Sequence, residues 1–132
     1  MDRKVFEALR LRSHTPVFGL EMYQTIAGFK IHLNGHGTAI YASNMRLFET
    51  TGVGTCLLTD WKPNIADLFD PDTEIATYRH PAEAAEKARY LLDHDQERHV
   101  MARAGQRRTL RDHTTAHRAA RIDEIIQDYL RS

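Results

Sequence analysis

Asn44, Arg46 and Glu49 are the side chains best suited to chemistry in this sequence. An arginine can hold a diphosphate through a two-pronged guanidinium contact. A carboxylate can accept hydrogen bonds from two neighbouring hydroxyl groups, such as those of a ribose or another sugar. In a helix, Arg46 and Glu49 would lie three residues apart on nearly the same face. The spacing indicates a site for a nucleotide or a sugar phosphate, and it also fits a plain ion pair on a solvated helix.

The element that must position these side chains is a predicted helix from Ser43 to about Thr51. Serine is a favourable N-cap residue, and Gly52 is a natural helix terminator. A helix capped at Ser43 would direct the unpaired amides of its first turn at a phosphate. Its apolar residues are expected to pack inward: Met45, Leu47 and Phe48.

Three short stretches, FKIHLN, TCLLT and EIATY, are predicted to be strands. Helical segments separate them, and strands separated by helices form βαβ units with parallel strands. Ligands of such sheets bind at the carboxyl ends of the strands. These ends lead here into the loops NGHGTAIYASN, DWKPN and RHP. Two further helices are predicted before the first strand, over residues 2–12 and 20–27.

The chain from Pro81 onward is predicted to be entirely helical, in three helices. The first helix should use Ala85, Ala88 and Leu92 as one face, and Gly105 is expected to be a weak point of the second. The third helix has an apolar stripe made of Ala119, Ile122, Ile126 and Tyr129. The pattern as a whole predicts an α/β fold with a short parallel sheet, three layers and a helical C-terminal segment.

Composition limits the class of protein. The chain has 132 residues, of which 42% are apolar and 27% charged, with a formal net charge of zero. These values predict a single globular domain, residues 1–132, that has no general attraction to nucleic acid. No apolar run approaches the length of a membrane span. A single cysteine, Cys56, excludes an internal disulfide and fits a reducing compartment, so a cytoplasmic protein is expected.

Other residues are weaker candidates for a function. Asn34 and His36 lie in the loop after the first strand, and His32 lies just before it. Either one of the two histidines contacts a bound phosphate or sugar, or His32 faces a neighbouring strand and His36 caps the turn. Trp61 either stacks on a base or covers the edge of the core. His113 and His117 have a metal-compatible spacing but no evident third ligand, so no metal is expected. A run of arginines is either a solvated helical face or a docking surface for an anionic partner: Arg98, Arg103, Arg107, Arg108, Arg111, Arg118 and Arg121.

The motif N-x-R-x-x-E, followed by G-x-G and an apolar strand, resembles a known family. Together with GLEMYQTIAGFKIHLN and EIATYRHPAEAAEKARYLL, it resembles the C-terminal half of bacterial glycosyltransferases of the group-1, spore-protein-CgeB-like type, which adopt the GT-B fold. The resemblance covers about residues 17–130. It implies a Rossmann-like domain that binds a nucleotide-sugar donor without a metal or another cofactor.

The resemblance also implies roles for individual residues. Glu49 would hold hydroxyl groups of the donor, and Asn44 and Arg46 would face its diphosphate or its sugar. Gly52 and Gly54 match the turn where the backbone of the family comes close to the strand and the ligand. Tyr41 stands where relatives with the E-x7-E motif have their first glutamate.

A GT-B enzyme needs two Rossmann-like domains, and only one is expected in these 132 residues. We therefore expect sugar transfer to need a partner, either the missing N-terminal domain or a second copy of the chain. The alternatives are a non-catalytic α/β module that docks an acidic partner through its arginine-rich helices, and a sensor of nucleotides or phosphosugars.

Overall fold

Residues 15–131 are described by the computed structural model, so the helix predicted over residues 2–12 lies outside them. Within this range, helices and strands alternate up to the third strand and only helices follow, as predicted. The helices are α1 Gly19–Ala27, α2 Arg46–Gly52, α3 Ile65–Leu68, α4 Pro81–Asp93, α5 Asp95–Asp112 and α6 Thr115–Arg131. The strands are β1 Ile31–Asn34, β2 Cys56–Asp60 and β3 Ala76–Tyr78.

The three strands form a parallel sheet in the order β1-β2-β3, which confirms the predicted arrangement. The central strand β2 is buried along most of its length because helices cover both faces of the sheet. This explains its nearly continuous apolar sequence, which is typical of parallel sheets.

Two separate apolar clusters lie on the two faces of the sheet. Leu57 packs with Leu47 of α2 and with Ile65, Phe69 and Ile75 on one face. The neighbouring positions of β2 point the other way, since side chains alternate along a strand. The second cluster consists of Cys56, Leu58, Ala76, Leu91 of α4 and Ala102 of α5. The sheet is thus the middle of three layers, and the predicted α/β class is confirmed.

Helix α2 begins later than the sequence predicts. Its N-cap residue is Met45, which has helical φ and ψ angles of −61° and −26° and makes no side-chain capping hydrogen bond. The predicted cap at Ser43 is wrong, because the residue before it, Ala42, is fixed in the core and the chain turns only at Asn44. Met45 is 71% exposed, against the expectation that it packs inward, whereas Leu47 is buried as predicted.

Gly105 is a packing requirement of α5 and not a weak point. It is buried against the backbone of Glu74, and a Cβ atom at this position would overlap the Glu74 carbonyl oxygen. The prediction from helix propensity was wrong because it considered only the helix and not its neighbour.

The buried face of α4 also differs from expectation. The buried residues of α4 are Ala84 and Leu91, whereas Leu92 is 46% exposed. Among the described residues, none in helix α6 is buried, and Ile122 and Ile126 of its apolar stripe are 57% and 50% exposed. No helix within residues 15–131 has the length and apolar character needed to cross a membrane.

Candidate functional site

The carboxyl ends of the three strands are joined by polar side chains. Asn34 ends β1, Asp60 ends β2 and Tyr78 ends β3. The Tyr78 hydroxyl donates to the backbone oxygen of Asn34 at 2.9 Å, and the Asn34 amide donates to Thr59 Oγ1 at 3.0 Å. This edge of the sheet is where parallel α/β folds bind their ligands.

Asn34 and Asn44 hold each other through a reciprocal pair of amide hydrogen bonds. Asn34 Nδ2 donates to Asn44 Oδ1 at 3.3 Å, and Asn44 Nδ2 donates to Asn34 Oδ1 at 3.1 Å. Asn44 Nδ2 also donates to the Gly35 oxygen at 3.4 Å. Both donors of each amide are therefore engaged, while Asn44 Oδ1 keeps a lone pair that can accept a hydrogen bond from a hydroxyl group.

Arg46 and Glu49 form an ion pair, which is the plainer of the two arrangements that their spacing allowed. Arg46 Nη1 lies 2.7 Å from Glu49 Oε2, and it also donates to the sulfur of Met22 at 2.9 Å. The Glu49 side chain is only 13% exposed and that of Arg46 is 38% exposed. A guanidinium has five N–H donors, so this pairing leaves donors of Arg46 available to an anion.

These residues line one cleft at the carboxyl edge of the sheet. The cleft has a volume of about 350 Å³ and is lined by Asn34, Asn44, Met45, Arg46 and Glu49. We call it the edge cleft. Four of the seven predicted site residues meet here, and Met45 is an addition that the sequence had assigned to the core.

His32 lies close enough to Arg46 and Glu49 to feel their charges. Its pKa is lowered, mainly by burial and further by the positive charge of Arg46, with Glu49 acting in the opposite direction. Asn34 follows two positions later in β1, so both side chains point to the same face of the sheet. A neutral imidazole is therefore favoured beside the ion pair.

His36 contacts Asp60 instead of the edge cleft. Its ring is almost completely buried, and its Nδ1 donates to Asp60 Oδ1 at 2.6 Å. Lys62 Nζ lies 3.3 Å from the other oxygen of Asp60. Burial alone would raise the pKa of Asp60, but hydrogen bonds from His36 and Lys62 outweigh it and lower that pKa. Sequence reasoning singled out the DWKPN loop but missed the roles of Asp60 and Lys62.

Gly52 and Gly54 lie at the other end of α2, away from the edge cleft. Gln106 of α5 donates to the Gly52 oxygen at 3.1 Å, and its side chain lies against Gly54. Gly54 has a φ angle of +80°, which favours glycine, and so it makes the turn into β2. Both glycines lie outside the edge cleft, and their approach to a ligand stays a prediction.

The first turn of α2 offers fewer open amides than a helix capped at Ser43 would. The amide of Leu47 donates to the Asn44 oxygen at 3.3 Å, and those of Phe48 and Glu49 both donate to the Met45 oxygen at 3.0 Å. An anion in the edge cleft would therefore depend on the Arg46 side chain more than on helix amides.

The remaining candidate residues, Trp61 and His113, make contacts that stabilise the fold. Trp61 packs against the first core cluster and carries the Arg79 guanidinium 3.9 Å above its ring, so it covers the edge of the core. His113 donates from Nε2 to the Leu68 oxygen at 2.8 Å. In the part of the chain that the structure describes, no three His, Cys, Asp or Glu side chains are grouped to hold a metal.

Most of the arginine run is engaged within the molecule. Arg98 is buried and donates to the Leu91 oxygen at 2.7 Å. Arg108 donates to the Leu68 oxygen at 3.0 Å, and the other pairs join Arg111 to Asp112, Arg118 to His113 and Arg121 to Glu124. These contacts do not favour a docking surface for an acidic partner.

Comparison with known proteins agrees with the fold. A family described as glycosyl transferase-like matches residues 3–124. No curated protein and no solved structure matches the chain. Because the family match covers most of the sequence and the fold is α/β with a parallel sheet, this protein belongs to the glycosyl transferase-like family.

Proposed function

We propose that this chain is the donor-binding half of a GT-B glycosyltransferase of the CgeB-like group, and that a nucleotide-sugar binds in the edge cleft. One observation carries the proposal: Asn34 at the end of β1 and Asn44, Arg46 and Glu49 around the start of α2 line a single cleft at the carboxyl edge of the parallel sheet. This edge is the usual ligand position of the fold.

Arg46 would neutralise the diphosphate of the donor. Its guanidinium is more than a third exposed and is held in place by Glu49 and Met22, so it need not be ordered when the ligand binds. A positive charge at this position also stabilises the diphosphate as the bond to the sugar breaks.

Glu49 would accept hydrogen bonds from two adjacent hydroxyl groups of the ribose or the sugar. Its carboxylate is mostly shielded from water, and hydrogen bonds to charged groups are stronger than those between neutral groups. Asn44 Oδ1 can accept a further hydroxyl, because the reciprocal pair with Asn34 fixes its direction.

The edge cleft covers only part of a nucleotide-sugar. Its volume of about 350 Å³ lies near the lower end of the range for ligand sites, which is roughly 300–1,000 Å³. We therefore propose that a second surface completes the site, either an N-terminal GT-B domain or another copy of the chain. Transfer to an acceptor would depend on that surface, whereas binding of the donor would not. The single cysteine further suggests a reducing, cytoplasmic location.

The test is calorimetric titration of the chain with UDP-glucose, GDP-mannose, UDP and GDP. We expect saturable binding of at least one of them. Glu49→Gln should weaken this binding by about tenfold or more, since a hydrogen bond to a charged group contributes roughly 1.5–3 kcal/mol. Arg46→Lys should also weaken it, because lysine keeps the charge but lacks the two-pronged fork.

The matched controls are Glu86→Gln and Arg107→Lys, which make the same chemical changes at exposed positions outside the edge cleft. Both should bind like the unaltered chain. The proposal fails if none of the four compounds binds saturably, or if the controls weaken binding as much as the cleft variants do.

A further inference from the structure

The segment that carries Asn44 has little apolar burial to hold it. Residues 35–45, which we call the edge loop, join β1 to α2, and most of their side chains are exposed. Ile40 is 73% exposed and Tyr41 is 59% exposed. Segments with few buried contacts open easily. Asn44 must nevertheless remain opposite Asn34 for the edge cleft to keep its shape.

One end of the edge loop is attached to the end of β2. The backbone amide of His36 and its ring Nδ1 both donate to Asp60 Oδ1, at 3.0 and 2.6 Å. Lys62 Nζ donates to the Gly37 oxygen at 3.2 Å. These contacts fix the chain directly after Asn34.

Near the other end, the side chain of Asn64 holds the backbone of Ala42. The Ala42 amide donates to Asn64 Oδ1 at 2.7 Å, and Asn64 Nδ2 donates to the Ala42 oxygen at 2.9 Å. The carboxamide thus satisfies both backbone groups of Ala42, as a neighbouring strand would. Ala42 itself is 2% exposed and belongs to the first core cluster.

Asn64 is itself firmly placed. The next residue, Ile65, begins α3 and is 1% exposed in the same cluster as Ala42 and Leu47. The position of Asn64 is therefore set by the core and not by the loop that it holds. Ala42 precedes Asn44 by two residues and Arg46 by four. A fixed Ala42 therefore limits where the backbone can place the side chains of Asn44 and Arg46.

We propose that Asn64 is a positioning residue of the donor site, whose paired hydrogen bonds to Ala42 keep Asn44 and Arg46 in the binding arrangement. This inference rests on the proposed function of the edge cleft. Asn64 is not among the residues that line the cleft, so its effect would pass through the backbone of the edge loop.

The size of the effect follows from the fraction of molecules whose edge loop is correctly placed. The apparent dissociation constant equals the intrinsic one divided by that fraction. If loss of the two hydrogen bonds between Asn64 and Ala42 leaves about one molecule in ten with its edge loop correctly placed, donor binding weakens about tenfold. The contacts within the edge cleft would be unchanged in those molecules.

The experiment compares Asn64→Ala and Asn64→Asp with the unaltered chain, by titration with UDP-glucose and GDP-mannose and by amide hydrogen exchange. Aspartate can still accept from the Ala42 amide but cannot donate to its oxygen when ionised. We expect binding to weaken about tenfold in Asn64→Ala and less in Asn64→Asp. Exchange over residues 37–45 should quicken in the same order, while β2 and β3 stay protected.

Gln106→Ala is the matched control, because it removes another carboxamide hydrogen bond to a backbone oxygen, that of Gly52 at the far end of α2. It should leave both donor binding and exchange in the edge loop unchanged. Equal affinity of Asn64→Ala and the unaltered chain would overturn the positioning role alone, as would unchanged exchange over residues 37–45. Absence of saturable binding by the unaltered chain would overturn the proposed function and this inference together.

Discussion

The two ends of helix α2 meet very different surroundings. At its start, Met45 and Arg46 border the edge cleft, and polar side chains supply most of the contacts. At its end, Thr51 is buried against α5, where Gly105 allows the closest approach. We call this second region the packed end. A helix of only seven residues thus separates a region open to a ligand from a region fixed by packing.

The difference has a consequence for stability. Changes at the packed end should lower the free energy of unfolding, because close-packed atoms have nowhere to move. Changes at the edge cleft should mainly alter binding, since its side chains are partly solvated. Three predictions test this division, starting with the largest expected effect.

Gly105→Ala should destabilise the protein most. The added Cβ atom would overlap the Glu74 carbonyl oxygen, which is backbone and cannot swing aside. Alanine gains about 1 kcal/mol of helix propensity over glycine, but the overlap should outweigh it and leave a net loss of about 2 kcal/mol or more. Urea denaturation measures this loss.

Gly28→Ala is the control for that variant. Gly28 has an ordinary φ of −77°, and its nearest neighbour to an added Cβ atom is 3.4 Å away. The free energy of unfolding should change by no more than about 0.5 kcal/mol. Equal effects of the two substitutions would contradict the claim that α5 is tightly packed at Gly105.

Thr109→Val should have an intermediate effect. Thr51 donates its hydroxyl proton to the Leu47 oxygen at 2.7 Å, so Thr109 must donate to Thr51 across the 2.6 Å contact between their hydroxyls. Valine has nearly the same shape but no hydroxyl, and we expect a loss of about 1 kcal/mol in the free energy of unfolding.

Denaturation of Thr73→Val, at an exposed position, provides the comparison for this change. The loss in Thr109→Val should be clearly larger. If it is not, the hydroxyl pair contributes nothing measurable and the packed end depends on shape alone.

Acid should act through Asp60, which holds the edge loop and lies outside the edge cleft, and its effect should be weaker than that of either substitution at the packed end. The pKa of Asp60 is lower in the folded chain, so its contribution to stability is complete above its ordinary pKa of about 3.9 and is lost as the pH falls through the lowered value. Asp60→Asn should therefore reduce the loss of stability as the pH falls from about 5 to about 2.

The measurement is urea denaturation across that range, with Asp67→Asn as the control at an exposed carboxylate. The control should keep the acid dependence of the unaltered chain. If Asp67→Asn reduces the acid-induced loss of stability as much as Asp60→Asn does, then net charge, and not the contact with His36, determines the acid response.

The fold could be predicted because its causes are local. Alternating and continuous apolar runs identified all three strands, and Pro81 marked the start of α4 as predicted. The candidate site was predicted in part, because the spacing of Arg46 and Glu49 on one helix is also local. The same pattern allowed their ion pair, which the structure contains.

What escaped prediction depends on contacts between distant parts of the chain. Ser43 is a good cap by residue type, but its neighbours are held by distant parts of the chain: Ala42 lies in the core, and Asn44 pairs with Asn34, ten residues away. Gly105 is explained only by Glu74, which precedes it by about thirty residues. The role of Asn64 is of the same kind, since no local pattern connects it to Ala42.

The two attachments of the edge loop divide it into a fixed frame and a variable insert. Residues 38–41 lie between the contacts at His36–Gly37 and the one at Ala42. Since both attachments are made by residues 60–64, the insert can change in sequence, and to some extent in length, without moving Asn44. New recognition elements can therefore be grafted at Ile40 and Tyr41, beside the edge cleft, while the scaffold keeps its geometry.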